Sequence, residues 1–474
     1  MHKPWSFFLL VVVAGSLTAC GASSSSAVTP MARIRRPPLA RRDSGSTPIH
    51  HIVVVIQENR TFNDFFATFP GATGATSGYE LIDGARQPID LKEVSLVGQP
   101  ALNHSYSGFT AACNYSYSSG CQMDGFNLIK YPKNPRLEKT APYEYVDPAD
   151  IAPYWSMAEQ YGLANAMFTT QGSNSFTGHQ DLIRGATFID PNDSMIDNPG
   201  VGGAWGCDSQ ANTRTSLITT QLKFEENAGP FPCTRDFPEY GGYSYKTLRD
   251  LLDAKHVSWK YYTPQIPDSG AIWNAFDVIS PVRYGPEWGT NVTWPETNVF
   301  KDIASGTLPA VSWVIPDGRN SDHPNGGQDD GPSWVASVVD AIGESDYWNS
   351  TAIIVVWDDW GGFYDPVPPP FPRDDQGGPG FRVPMLLISP YAKIGSGSQG
   401  GYISNTVYYF GSILRFSEDT FDLGRLGTTD STSNSIGDMF DFNQSPRPFH
   451  EFRSKFSRSF FLHQKPSGIP VDTD

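Results

Sequence analysis

Apolar positions along this chain fall into short unbroken runs rather than alternating with polar ones, which is the pattern of strands buried on both faces. His50-His51-Ile-Val-Val-Val-Ile56 and Thr351-Ala-Ile-Ile-Val-Val-Trp357 show it most clearly. Each run stops at polar residues, Gln57-Glu58-Asn59-Arg60 after the first and Asp358-Asp359 followed by Gly361-Gly362 after the second. Further runs predict strands over 166–170, 257–262, 309–316 and 382–389. Helical spacing predicts helices over 151–164, 245–256, 333–342 and 407–416, with a serine-bearing turn and another helix after Gln171. Strands alternating with helices imply an α/β fold whose mostly parallel sheet is covered on both faces. In such sheets ligands bind beyond the carboxyl ends of the strands, where Glu58, Asn59, Asp358 and Asp359 stand.

Two stretches interrupt the alternation. Residues 67–150 and 186–240 are rich in Gly, Pro and Tyr and read as long loop insertions that line or lid a site. Before the first strand, residues 1–20 have a basic start, a short apolar run and Leu17-Thr-Ala-Cys20, an export signal whose end resembles a bacterial lipobox. That reading puts a lipid on Cys20 as a membrane anchor, residues 21–48 as a flexible Ser/Pro/Arg tether and residues 49–474 as one catalytic domain.

Composition narrows the partners. The net charge of −16 excludes a nucleic-acid partner, which would want a basic face, and 13% aromatic residues argue for ordered rather than disordered loops. Setting Cys20 aside leaves Cys113, Cys121, Cys207 and Cys233, with three pairings open. Cys113 with Cys121 and Cys207 with Cys233 are favoured because each pair closes a local loop in an exported chain. Nothing in the sequence fixes an oligomeric state.

Three carboxylates and an amide oxygen form a hard oxygen site suited to Ca, Mg or Mn. A divalent ion beside a serine hydroxyl lowers its pKa and offsets an oxyanion, as phosphoryl transfer requires. Ser175, in a turn that opens a helix, is the candidate nucleophile, and His104, His179 and His323 are candidate proton donors or phosphoryl-oxygen contacts. Each has a structural alternative: Asn59 as a helix cap, Ser175 as a turn residue, His179 as a packed core histidine.

Taken together, Ile-Gln-Glu58-Asn59-Arg-Thr-Phe-Asn-Asp-Phe-Phe, His104-Ser, Met-Asp124-Gly-Phe, Asp322-His323-Pro, Trp-Asp358-Asp359-Trp-Gly-Gly-Phe-Tyr-Asp365 and Arg382-Val-Pro resemble the bacterial phosphoesterase family of phospholipases C and AcpA-type acid phosphatases. The resemblance implies an alkaline phosphatase-like three-layer α/β sandwich. It also implies a metal held by Glu58, Asn59, Asp358 and Asp359 together with a hydroxyl nucleophile, Ser175. His104, His179 and His323 would then serve catalysis, and Asn174, His104 and His323 would contact substrate. Calcium is the expected ion, with Mg, Mn or Zn as alternatives. A phosphomonoester is the expected substrate and a phospholipid headgroup the alternative. A surface lipoprotein that only binds a ligand, and a sulfatase-like or phosphonate-cleaving enzyme, are the other readings. The chain departs from the family at Pro366, where His is usual, and at Gly178, where Asn is common.

Overall fold

Among the described residues, eight strands form the central sheet: β1 (His51–Gln57), β2 (Gly162–Ala164), β3 (Trp259–Tyr262), β4 (Val292–Thr293), β5 (Val311–Val314), β6 (Thr351–Trp357), β7 (Met385–Ile388) and β8 (Tyr402–Ser404). In this computed structural model the described residues are 47–468 without 117, 119, 133, 201–203, 235, 238–242, 325–328 and 371–377. All fall in one compact unit beginning at Ser46. The export signal, Cys20 and all but the last two tether residues lie outside them. No helix among them is long and apolar enough to cross a membrane.

The strand order is β4-β3-β5-β1-β6-β7-β2-β8, parallel throughout except for β7, which runs against both of its neighbours. The two long apolar runs lie side by side at its centre, in register from His51 with Thr351 to Gln57 with Trp357. Every residue of β6 is buried, so neither face alternates in polarity.

The helices used below are α1 (Tyr106–Cys113), α2 (Ala152–Gln160), α3 (Ser175–Arg184), α4 (Leu248–Ala254), α5 (Asn298–Ala304), α6 (Gly331–Gly343), α7 (Phe410–Phe421) and α8 (Arg458–His463). Apart from α1, they divide into two layers, with α2, α5 and α8 packed on α6 and with α4 and α7 packed on α3. Successive residues of β3 locate these layers on opposite faces. The Tyr262 hydroxyl donates to Asp302 Oδ2 of α5 at 2.7 Å, while Tyr261 packs edge-on against Phe276, in a segment that also touches α3. At the end of β6, Trp357 packs against Phe65 and Tyr154 on the α2 side, so the alternation of the strand turns Asp358 toward α3.

Some elements differ from the sequence expectation. The helix expected over 151–164 stops at Gln160, because Tyr161 leaves helical geometry (φ −122, ψ −122) and the next three residues form β2. The strand expected over 166–170 contributes only isolated bridges at Met167 and Phe168. Residues 67–150 are not structureless: they hold the hairpin Ser77–Ile82 with Ala85–Asp90 as well as α1. The pairings Cys113–Cys121 and Cys207–Cys233 are both present, one in each insertion.

Candidate active site

The register of β1 on β6 makes Glu58 and Asp358 neighbours just beyond the strand ends, and the Asn59 backbone N–H donates to Asp358 Oδ1 at 2.9 Å. Asn59 is left-handed (φ +62), a conformation that Asn tolerates better than most residues. Here the carbonyl of Asp359 takes the Arg60 N–H at 3.1 Å, and the Asn59 backbone lies directly on Gly361. A Cβ on Gly361 would overlap the Asn59 carbonyl oxygen, so that approach requires glycine.

Ser175 is the first residue of α3, where the helix dipole favours negative charge. Its Oγ donates toward Asp359 Oδ2 at 3.0 Å and Asn59 Oδ1 at 3.2 Å, and it is only 3% exposed. The other amide end of Asn59, Nδ2, lies 3.2 Å from His104 Nε2. His104 Nδ1 is 2.7 Å from the Leu102 carbonyl, which can only accept, so in the neutral ring Nδ1 carries the proton and Nε2 turns its lone pair to the site. Trp360 Nε1 holds the His104 carbonyl at 2.9 Å.

His179, one turn along α3, places Nε2 at 2.8 Å from Glu58 Oε1 and 3.8 Å from Asp358 Oδ2. Its ring stacks on Trp273, which also stacks on His323, so His323 stands one ring further out. Asn174 caps α3 in position only: no cap bond is made, and its Oδ1 is buried without a hydrogen-bond partner.

Glu58 Oε2 and Asp358 Oδ2 are likewise buried without hydrogen-bond partners. Burial first, then the charge of Asp358, raises the Glu58 carboxyl well above its ordinary range. Burial pushes Asp358 and Asp359 up to about 7, with the Asp359 charge adding to the shift of Asp358. Burial lowers His179 to about 3. Three carboxyls packed this closely resist ionising together unless a cation joins them. Glu58, His179 and Asp358 each offer an atom within 4.8 Å of the others, so the residues fit a divalent ion, with His179 as a nitrogen donor that the expected ligand set lacks.

Two nearby residues were not singled out in the sequence. Asp197 Oδ1 accepts the Tyr106 N–H at 2.6 Å and the Ser173 hydroxyl at 3.0 Å, and Asn198 Oδ1 accepts the Phe176 N–H at 2.9 Å. In the sequence, Asp197-Asn198-Pro199-Gly200 has the composition of a turn and gives no other signal.

The motif acids Asp322 and Asp365 serve the scaffold. Asp322 Oδ2 accepts the Tyr154 hydroxyl at 2.6 Å, and its carbonyl takes Arg60 Nε at 2.9 Å. Asp365 forms a fully buried two-pronged pair with Arg382 at 2.9 and 3.0 Å. Its Oδ1 also accepts the Val367 N–H at 2.8 Å, and the fixed φ of Pro366 suits the turn this bond closes.

Comparison with known proteins adds to this geometry. The sequence profile described as "Phosphoesterase family" matches residues 49–424. The chain is 24% identical over 449 residues to the non-hemolytic phospholipase C of Burkholderia pseudomallei, covering 81% of this chain and 57% of that protein. It is also 24% identical over 468 residues to phospholipase C B of Mycobacterium tuberculosis, covering 85% of this chain and 79% of that one. It therefore spans less than two thirds of the length of the Burkholderia relative. Among solved structures, a protein of the alkaline phosphatase superfamily from Vibrio parahaemolyticus aligns with 84% of this chain and 73% of its own, at 11% identity and a TM-score of 0.35.

Proposed function

This chain belongs to the phosphoesterase family, and from that premise we propose that it hydrolyses phosphate esters through Ser175 as a metal-dependent phosphomonoesterase. The observation that carries the reading is a buried helix-terminal hydroxyl aimed at Asp359 and Asn59 beside two carboxylate oxygens that lack hydrogen-bond partners. A divalent ion held by Glu58, Asn59, Asp358 and Asp359 would supply, when bound, the positive charge that acidifies a hydroxyl and offsets phosphoryl charge. Oxygen donors favour Ca, Mg or Mn, and nitrogen from His179 would favour Mn or Zn.

Ser175 Oγ passes its proton to the Asp359 carboxylate it already meets and forms a bond to phosphorus as the bond to the leaving oxygen breaks. Water then releases phosphate from the serine, whose oxygen regains a proton. The start of α3 presents backbone N–H groups and its positive dipole end to the phosphoryl oxygens. His104, protonated at Nε2 in the substrate complex, gives the leaving oxygen its proton. Asn174 and His323 hold the substrate, and His179, where the ion is held by oxygen donors alone, orients Glu58 through their 2.8 Å contact. On the same reading the export signal places the enzyme outside the cytoplasm with a lipid on Cys20.

The test is turnover of p-nitrophenyl phosphate by wild type, by Ser175→Ala and after chelation. Loss in both altered samples supports the reading, and undiminished turnover by S175A overturns it. A second reading, phospholipase C, is favoured by the names of the relatives. Headgroup release from phosphatidylcholine without p-nitrophenyl phosphate turnover would select it.

A further inference from the structure

Helix α3 begins with asparagine in the N-cap position, yet that asparagine does not cap it. Asn is among the strongest cap residues because its Oδ1 accepts a hydrogen bond from one of the first backbone N–H groups. Asn174 has the extended backbone of a cap (φ −109, ψ −170) but makes no such bond, and its Oδ1 is left without a partner at 2% exposure. A buried acceptor left unmet is costly, and a fold retains that cost where the side chain has another use.

One of the two donors that an N-cap side chain takes, Phe176 N–H, is bound by Asn198 at 2.9 Å, from 22 residues further along in the second insertion. Asp197 fastens the same dipeptide to the site. Its N–H donates to Ser173 Oγ at 2.9 Å, its Oδ1 accepts from Ser173 at 3.0 Å, and it also accepts the Tyr106 N–H at 2.6 Å. Ser173 lies two residues before the nucleophile and Tyr106 two residues after His104. Asp197 is itself left-handed at φ +62, a turn conformation that Asp tolerates better than most residues.

We propose that Asp197 and Asn198 are positioning residues. Asn198 takes over the capping of α3 and so frees the Asn174 side chain to turn its Nδ2 donor to a phosphoryl oxygen of the substrate, while Asp197 sets Ser175 and His104 relative to each other. This rests on the reading of Ser175 as nucleophile. Removing the Asn198 amide leaves Phe176 N–H unmet, and Asn174 need only rotate its side chain to meet it. The helix then keeps a cap while the site loses an amide.

The experiment is a double-mutant cycle of Asn174→Ala and Asn198→Ala with p-nitrophenyl phosphate, run with thermal melts and hydrogen exchange at Phe176. S175A serves as the control for the nucleophile. N174A should lower kcat/KM by about a hundredfold, the loss typical of one such contact. N198A should lose a comparable factor while its Tm falls little and Phe176 stays protected. The double variant should be no slower than N174A but less stable, because no cap remains. Asn198→Asp, which keeps the acceptor, should restore turnover. Multiplicative losses in the cycle, wild-type kcat/KM for N198A, or failure of N198D to recover would each overturn the proposal. An inactive S175A beside a fully active N198A would overturn this inference alone, whereas an active S175A would overturn the reading beneath it.

Discussion

Gly178→Ala tests how closely the helix that Ser175 opens must sit on the sheet. A Cβ at this position would overlap the Asp358 carbonyl oxygen and stand 2.9 Å from the carbonyl carbon. Carbon atoms need about 3.5 Å, so helix and strand must part by roughly 0.6 Å or more. Two effects oppose each other. Alanine favours a helix interior over glycine by about 0.5–1 kcal/mol, while forcing one extra methyl into a packed contact costs about 1–3 kcal/mol. Overlap with backbone, which cannot rotate away, puts the net change on the destabilising side, at about 1–2 kcal/mol. Residue 178 lies one turn from Ser175 on the same helix face, so the shift lengthens the 3.0 Å contact of Ser175 with Asp359. Misplacement on this scale costs about a hundredfold in kcat. The assay is p-nitrophenyl phosphate turnover under metal saturation, beside urea unfolding. A variant with wild-type kcat and a raised unfolding midpoint would refute the argument, because propensity would then have won and the close approach would not matter.

Three further outcomes follow from the geometry. Metal-free protein should lose stability as pH rises from about 4 to 7, because Asp358 and Asp359 at about 7 keep protons in the fold that the unfolded chain has released. At about 1.4 kcal/mol per unit the limit is about 4 kcal/mol per group. Urea unfolding in chelator at pH 5 and pH 8 measures this, equal stability at both would contradict it, and D358N should flatten the slope. Arg382→Lys should cost about 3–5 kcal/mol, because one ammonium cannot replace the paired bonds to Asp365 and the bonds to the Asn165 and Thr73 carbonyls. An unfolding midpoint close to wild type would show that pair to be dispensable. Cys20→Ser should move the protein from the membrane pellet to the supernatant, and its retention in the pellet would remove the lipid anchor from the proposal.

The sheet was legible where burial on both faces produces long apolar runs, as in β1 and β6, and the acids that end those runs lead directly to the site. What escaped notice was short or depended on distant partners. β2 is three residues long, Gly162-Leu-Ala164, and is a strand only because β7 and β8 flank it. The hairpin Ser77–Ile82 with Ala85–Asp90 is largely exposed and therefore shows no apolar alternation. His179 was legible as a residue but not as a nitrogen beside Glu58 and Asp358, because that depends on how α3 packs against two strand ends. Asp197 and Asn198 have the composition of an ordinary turn, and only the fold reveals which N–H groups they meet.

The pairing of β1 with β6 also bears on when the proposed activity could appear during synthesis. Asn59 and Asp358 are 299 positions apart in the chain yet share a hydrogen bond, so their strands come together only after the intervening residues have been made. Closing so long a loop is slow, and none of its entropy is recovered until the strands join. On the proposed function, a nascent or truncated chain ending before Asp358 lacks two of the residues that would hold a cation beside Ser175. A growing polypeptide would then gain activity only once the second of these strands has been made and has joined the first.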